Sequence, residues 1–251
     1  MSDKATGGDH IVRSYDEELE QLNNSIIEMG GLAEAQIEAA IQALVTRDPD
    51  LAARVVEDDD KVDDLNLDID NQAMRLLALR QPMARDLRNV VAALKISSDL
   101  ERIADYASNM ARRSMALNED SPVRPVHAIP RMGRMVMSMM KNVIDAYVEH
   151  DVEKAVAVWH ADEEVDEMYV SLFRELLTYM MEDARRIGPC AHVLFVAKNI
   201  ERIGDHVTNI AETIYFLVHG DRMRETRPRG RSTEWSLSSE AETAERLKDS
   251  G

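Results

Sequence analysis

Apolar residues recur every three to four positions through most of this chain, which is the period of helices packed on one face. Between Ile11 and Arg47 they fall at Leu19, Leu22, Ile26, Met29, Ala33, Ile37, Ala40, Ile41 and Leu44. Asp48-Pro49 then predicts a new helix, with Asp accepting the first free amides and Pro in the first turn. That helix runs to about Leu79. Gln81-Pro82 interrupts it, and Pro82 can open a third helix that runs to about Leu117. A second set of three follows the polar, proline-bearing stretch at 119–128. One helix covers 129–150, with Met132, Met135, Val136, Met139, Met140, Val143, Ile144 and Tyr147 along a stripe. The next starts at an Asp151 cap and ends near Met181. After Gly188-Pro189 a last helix runs to about Val218, before Gly220. The methionine stripe reads as core filling.

The pattern predicts an all-α protein of two tandem, pseudo-symmetric three-helix bundles, at residues 11–118 and 129–219. Residues 1–10 read as a flexible N-terminus and 119–128 as a linker. Residues 220–251 begin with Arg222, Arg224, Arg227, Arg229 and Arg231, continue into a Ser/Glu-rich end with no apolar period, and read as a disordered tail.

The two halves repeat in sequence as well as in pattern. Asp99-Leu-Glu-Arg-Ile-Ala-Asp-Tyr-Ala-Ser-Asn-Met-Ala111 returns as Asn199-Ile-Glu-Arg-Ile-Gly-Asp-His-Val-Thr-Asn-Ile-Ala211, at an offset of 100. Met29-Gly30, Asp48 and Val62-Asp63 return as Met132-Gly133, Asp151 and Val165-Asp166, at an offset of 103. A repeat of this length is one supersecondary unit written twice. Its most faithful positions are charged, and packing alone does not require that.

Composition narrows the function classes. Aromatic residues are 4% and methionines number 15, which suits helices. The net charge of -17 argues against a general nucleic-acid binder. The single cysteine, Cys190, rules out an intramolecular disulfide and fits a reducing compartment. No stretch reaches the ~18 apolar residues of a membrane span, and no apolar signal region opens the chain, so a cytoplasmic protein is expected.

The repeated acids carry the candidate chemistry. Glu101 and Asp105, like Glu201 and Asp205, are four residues apart and share one helix face. Counting back by threes and fours places them in line with Leu94, Val91, Val90 and Leu87, and with Leu194, Ala191 and Ile187, so they are expected to project from core-facing stripes. The preceding helix of each trio offers Asp59 and Asp63, or Asp162 and Asp166. If these helices are antiparallel, Asp63 lies ~27 Å and Glu101 ~30 Å from the shared turn, at nearly one height. Four carboxylates would then converge in each half. A buried carboxylate must be paired, protonated or bound to a cation. All-oxygen ligands suit Mg²⁺, Mn²⁺, Ca²⁺ or iron. Asn109 and Asn209, one turn further on, can support the carboxylates or serve packing. Arg102 and Arg202 sit about 100° round the helix from their own Glu and are not expected to neutralise it. His206 has Tyr106 as its counterpart and is not a required ligand.

In these residues the chain resembles the PhoU family of phosphate-uptake regulators. The shared context is Glu-Arg-Ile-(Ala/Gly)-Asp-x-x-x-Asn-(Met/Ile)-Ala at 101–111 and 201–211, with matching acids at Asp59/Asp63 and Asp162/Asp166. The likeness covers about residues 11–219. It implies a twice-repeated helix trio that binds multinuclear metal clusters on the bundle surface. It implies a cytosolic, oligomeric protein, most simply a homodimer. Such proteins restrain high-affinity phosphate import through the ATPase subunit of the Pst transporter. They also help a phosphate-sensing histidine kinase repress the starvation response. No catalysis is implied, and the chain has no nucleophile–base set or Gly-rich phosphate loop. Two other readings compete on the residues alone: a carboxylate–metal hydrolase or oxidase, and a structural scaffold with solvated acids.

Overall fold

A computed structural model describes residues 6–80, 85–119 and 124–223 of the chain. Within them there are six long helices and no strand: α1 (Thr6–Thr46), α2 (Pro49–Arg80), α3 (Arg85–Leu117), α4 (Ile129–Glu149), α5 (Val152–Glu182) and α6 (Ile187–His219). The all-α, doubled three-helix architecture read from the sequence is the one observed. Pro82 and residues 224–251 lie outside the described residues.

The helix ends follow local chemistry. Asp48 Oδ1 accepts the amides of Asp50 and Leu51 at 3.0 and 2.9 Å and caps α2. Asp151 Oδ1 accepts the Lys154 amide at 3.0 Å and caps α5. Before each cap stands a non-glycine residue in the left-handed region, Arg47 at φ 55 and His150 at φ 54. The duplication therefore extends to backbone strain. Gly220, at φ 77, closes α6. Gly188-Pro189 does not precede α6 but lies in its first turn. A proline costs little there, because the first amides of a helix have no intrahelical partner. The helix α1 begins five residues ahead of the apolar period, extending an existing ladder without a new nucleus.

One continuous apolar core joins both trios. Met132, Met139 and Met140 are buried in it, as read from their stripe, while Met135 is half-buried at its edge. The trios meet through two antiparallel helix pairs. In the first, Arg88 faces Gly220, Lys95 stacks on Phe216, Asp99 bonds to His206 and Asn209, Tyr106 meets Arg202, and Arg113 stacks on Phe195. Residue numbers rise on α3 as they fall on α6. The second pair explains the repeated Met-Gly. A Cβ on Gly30 would meet Ile144 Cδ1 at 2.7 Å, and one on Gly133 would collide with Ile41. Ile41 and Ile144 are themselves repeat partners, so α1 and α4 cross about a pseudo-twofold axis, and glycine lets them approach.

A candidate metal centre on paired helices

The helices α2 and α3 run antiparallel, and so do α5 and α6. In the first repeat Asp59 lies near Asp105, Ser108 and Arg112, and Asp63 lies near Asp105 and Glu101. The height count made from the sequence is thus met: the four acids of the first repeat share one neighbourhood. In the second, Asp166 lies near Glu201, and the Asp162 carboxylate packs over Gly204.

The acids do not project from the core stripe, as expected above, but from its flank. The buried line on α3 runs through Val90, Ala93, Ile96, Leu100, Ile103, Ala107 and Met110. Leu94 is half-buried and Leu87 is 42% exposed; in the second copy Leu194 is half-buried and Ile187 is 50% exposed. The Glu101 and Asp105 side chains retain 21% and 37% of their exposure. They therefore edge the seam between α2 and α3, reachable by ions from solvent.

Electrostatic stress is shared out unevenly. Burial pushes the Asp59, Asp63 and Glu101 carboxyls above their ordinary values, and repulsion from Asp105 adds to each. The Ser108 hydroxyl works against the shift at Asp59, and Arg102 works against it at Glu101. Burial also raises Glu201, with Lys198 opposing and Asp205 and Asp166 adding repulsion.

The cations near the acids were the part not visible in the pattern. Arg102 does neutralise its own pair: Nη1 lies 3.0 Å from Asp105 Oδ2, and Nε lies 3.4 Å from Glu101 Oε2. The 100° argument failed because a long side chain folds back along the helix. Arg202 donates to the Tyr106 hydroxyl of the other repeat, at 3.3 Å, while its charge still acts on Glu201 and Asp205. In the second copy Lys198 takes over, with Nζ 2.7 Å from Glu201 Oε1 and 5.1 Å from the Tyr169 ring. Its counterpart in the first copy is Ser98. An i,i+3 scan for bases around each acid would have found Lys198.

The remaining candidates face elsewhere. Asn109 accepts from Arg112 at 3.3 Å, and Asn209 donates to Asp99 at 3.2 Å. His206 Nδ1 also meets Asp99 Oδ1, at 2.8 Å, so this histidine ties the two repeats together.

The donor set suits a hard cation: every acid offers oxygen, and Glu201 Oε2 is buried with no hydrogen-bond partner. With the side chains as they stand, no three His, Cys, Asp or Glu groups among the described residues are gathered closely enough to hold one ion. Holding a metal therefore requires carboxylates to swing inward along the seam. The residues that would do so are Asp59, Asp63, Glu101 and Asp105 in one repeat, and Asp162, Asp166, Glu201 and Asp205 in the other.

Fold and site together define a class: duplicated helix trios with a carboxylate seam in each half. The family model described as PhoU domain matches residues 26–114 and 129–214. The chain is 51% identical over 222 residues to a protein of Caulobacter vibrioides named phosphate-specific transport system accessory protein PhoU homolog, covering 88% of this chain and 96% of that protein. A Zymomonas mobilis protein of the same name is 49% identical, over 91% of this chain and 96% of its own length. The crystal structure of PhoU from Pseudomonas aeruginosa superposes with a TM-score of 0.80 at 40% identity, covering 82% of this chain and all of that one. That of the phosphate transport system regulatory protein PhoU from Streptococcus pneumoniae gives 0.79 at 28% identity, over 84% of this chain. The chain belongs to the PhoU family.

Proposed function

We propose that this protein is a metal-binding, cytoplasmic regulator of phosphate uptake, without catalytic activity of its own. It restrains import through the phosphate-specific transporter and helps a phosphate-sensing histidine kinase hold the starvation response off. The observation that carries this reading is the double placement of Glu-x-x-x-Asp on one helix beside Asp-x-x-x-Asp on its antiparallel neighbour. Relatives 51% and 49% identical to this chain are named phosphate-specific transport system accessory protein PhoU homologs. No helix of the described residues is long and apolar enough to cross a membrane. In this reading, contact with the transporter is made through its ATPase subunit.

In this reading a divalent cation or iron draws the seam carboxylates together and removes their repulsion. The chain's own residues do the rest: Arg102 and Lys198 hold two acids in place, and the α3–α6 pair transmits any shift from one seam to the other. A homodimer presents both seams twice.

Deletion and complementation test the regulatory part. A strain lacking the protein should import phosphate faster and express starvation genes in rich phosphate, and the wild-type chain should reverse both. Failure to reverse either would end the reading. Metal analysis of purified protein tests the site. Stoichiometric Mn, Fe, Mg or Ca that disappears in a Glu101→Gln/Glu201→Gln variant supports it. No metal, with a melting temperature indifferent to added Mn²⁺, removes it. Copurification with the transporter ATPase or the kinase tests the partners.

A further inference from the structure

The helices α1 and α4 lie side by side, with Gly30 against Ile144 and Gly133 against Ile41, and their outer faces carry opposite charge. Between Tyr15 and Thr46, α1 has seven acids and no base. Between Ile129 and Ile144, α4 has Arg131, Arg134 and Lys141 and no acid; Asp145 and Glu149 follow in its last turns. Glu28 and Glu38 are exposed, and so are Arg131, Arg134 and Lys141. None of these five makes an ion pair among the described residues. Glu149 differs, since it binds Lys154 at 2.6 Å. The opposition follows the repeat: Glu28 and Glu38 stand where the second half has Arg131 and Lys141.

The same glycine contacts fix relative heights, because residue numbers rise on α1 as they fall on α4. They set Val148 level with Ile27, and the 2.7 Å hydrogen bond from Tyr147 to Asn23 agrees. Both apolar side chains are exposed, by 55% and 37%. Gly31 and Ala35 are exposed between Glu28 and Glu38 and keep this side of α1 low; a Cβ on Gly31 would meet nothing within 4 Å. A surface acidic on one side of its pseudo-twofold and basic on the other is complementary to itself. A twofold axis running along the helices lays α1 of one molecule on α4 of the other. An axis across the helices lays like on like, and like charges oppose association. The first arrangement keeps heights. It brings together Ile27 and Val148 of both molecules, and sets Glu38 near Arg134 and Glu34 near Lys141. Glu28 comes level with Asp145, a repulsion that limits affinity. A face as long as α4, ~31 Å, and two helices wide, ~20 Å, buries roughly 600 Å² per molecule. That lies at the low end for specific association and fits a reversible, salt-sensitive dimer.

We infer that the outer face of α1 and α4 pairs with the same face of a second molecule, α1 on α4, in a twofold dimer. The inference rests on the homodimer of the proposed function and on none of its metal or phosphate chemistry. None of the groups acting on Asp59, Asp63, Glu101 or Glu201 lies on α1 or α4, so the contact leaves both seams of each molecule open.

Sedimentation equilibrium of the full chain, in buffer containing a chelator, tests the pairing. Wild type should show a monomer–dimer equilibrium that weakens about tenfold from low to high salt. Glu34→Lys/Glu38→Lys and Arg134→Glu/Lys141→Glu should each weaken it about tenfold or more. An equimolar mixture of the two variants should regain the wild-type affinity, because each then meets its opposite at both contacts. A chain carrying all four changes should dimerise alone. Far-UV circular dichroism and melting check that every variant folds. A dimer that neither variant weakens overturns this face and leaves the homodimer standing. Weakening without rescue in the mixture overturns the placing of α1 on α4. A chain that is monomeric at every concentration overturns both the face and the homodimer, and leaves the regulatory reading to its own test.

Discussion

In the first repeat, Glu101 and Asp105 share Arg102, and the Ser108 hydroxyl and the Arg112 charge relieve Asp59 on α2. In the second, Arg202 reaches across to Tyr106, Lys198 grips Glu201, and Asp162 is 1% exposed above a glycine. Duplication kept the acids and let their counter-charges diverge. What is invariant between the halves is the negative charge at the seam. What varies is how each half tolerates it.

Exchanging the residues that differ breaks this comparison in measurable ways. The largest effect is expected from Gly204→Ala, which gives the second repeat the residue found at Ala104. The new Cβ would sit 2.5 Å from Asp162 Oδ1, and the buried carboxylate has little room to retreat. Overpacking of this kind costs roughly 1–3 kcal/mol, readable as a lower urea midpoint at unchanged slope. The reverse change, Ala104→Gly, should lose about 1 kcal/mol from helix propensity alone. Equal losses in the two variants would show that Gly204 is not making room for Asp162.

Next comes Lys198→Ser, which turns the second seam into the type of the first. Glu201 is 13% exposed and its Oε2 already lacks a partner, so removing the ammonium leaves both oxygens wanting. The lysine is 38% exposed, which limits the loss to about 1 kcal/mol. The more telling readout is the response to metal. Lys198→Ser should gain more melting temperature from Mn²⁺ than wild type, and Ser98→Lys should gain less. If both variants respond as wild type does, the lysine is not standing in for a cation.

The acidity of the first seam gives a pH signature. Asp59, Asp63 and Glu101 bind protons more tightly folded than unfolded. From the ordinary carboxylate range, about pH 4, up through their raised values, the folded state therefore holds more protons than the unfolded one. Their contribution is present at low pH and is lost as pH rises across that window. The melting temperature of metal-stripped protein should fall over it more steeply than that of Asp59→Asn/Glu101→Gln. Asp63 is largely exposed and contributes least. A variant as steep as wild type would remove these groups from the account.

How much of this was legible in the chain depends on what sets each feature. Helix ends were legible because Asp48, Asp151 and Gly220 act within a few residues of themselves. The meeting of Asp63 with Glu101 was legible because a rigid rise per residue converts counting into height. The rotation of the acids to the flank of the core was not. A broad apolar face leaves its edge ambiguous by one residue, and only the packing of α2 on α3 shows that Leu87 and Leu94 lie off the buried line. The arginines were least legible of all, since Arg102 and Arg202 occupy identical local sequence. Their different partners are decided by Tyr106 and His206, which stand at equivalent places on facing helices.

That last difference yields the smallest effect and the sharpest check on where Arg202 acts. Tyr106→Phe removes only the hydroxyl that accepts from Arg202, across an exposed contact of 3.3 Å, and leaves the ring for the guanidinium to rest on at 5.8 Å. A cycle with Arg202→Ala should give a coupling below about 0.5 kcal/mol. The same cycle with Arg102→Ala should give less, because Arg102 is bound to its own acids. A coupling of Tyr106 to Arg102 as large as that to Arg202 would mean that the arginines exchange partners in solution. The two seams would then differ only through Lys198 and Gly204.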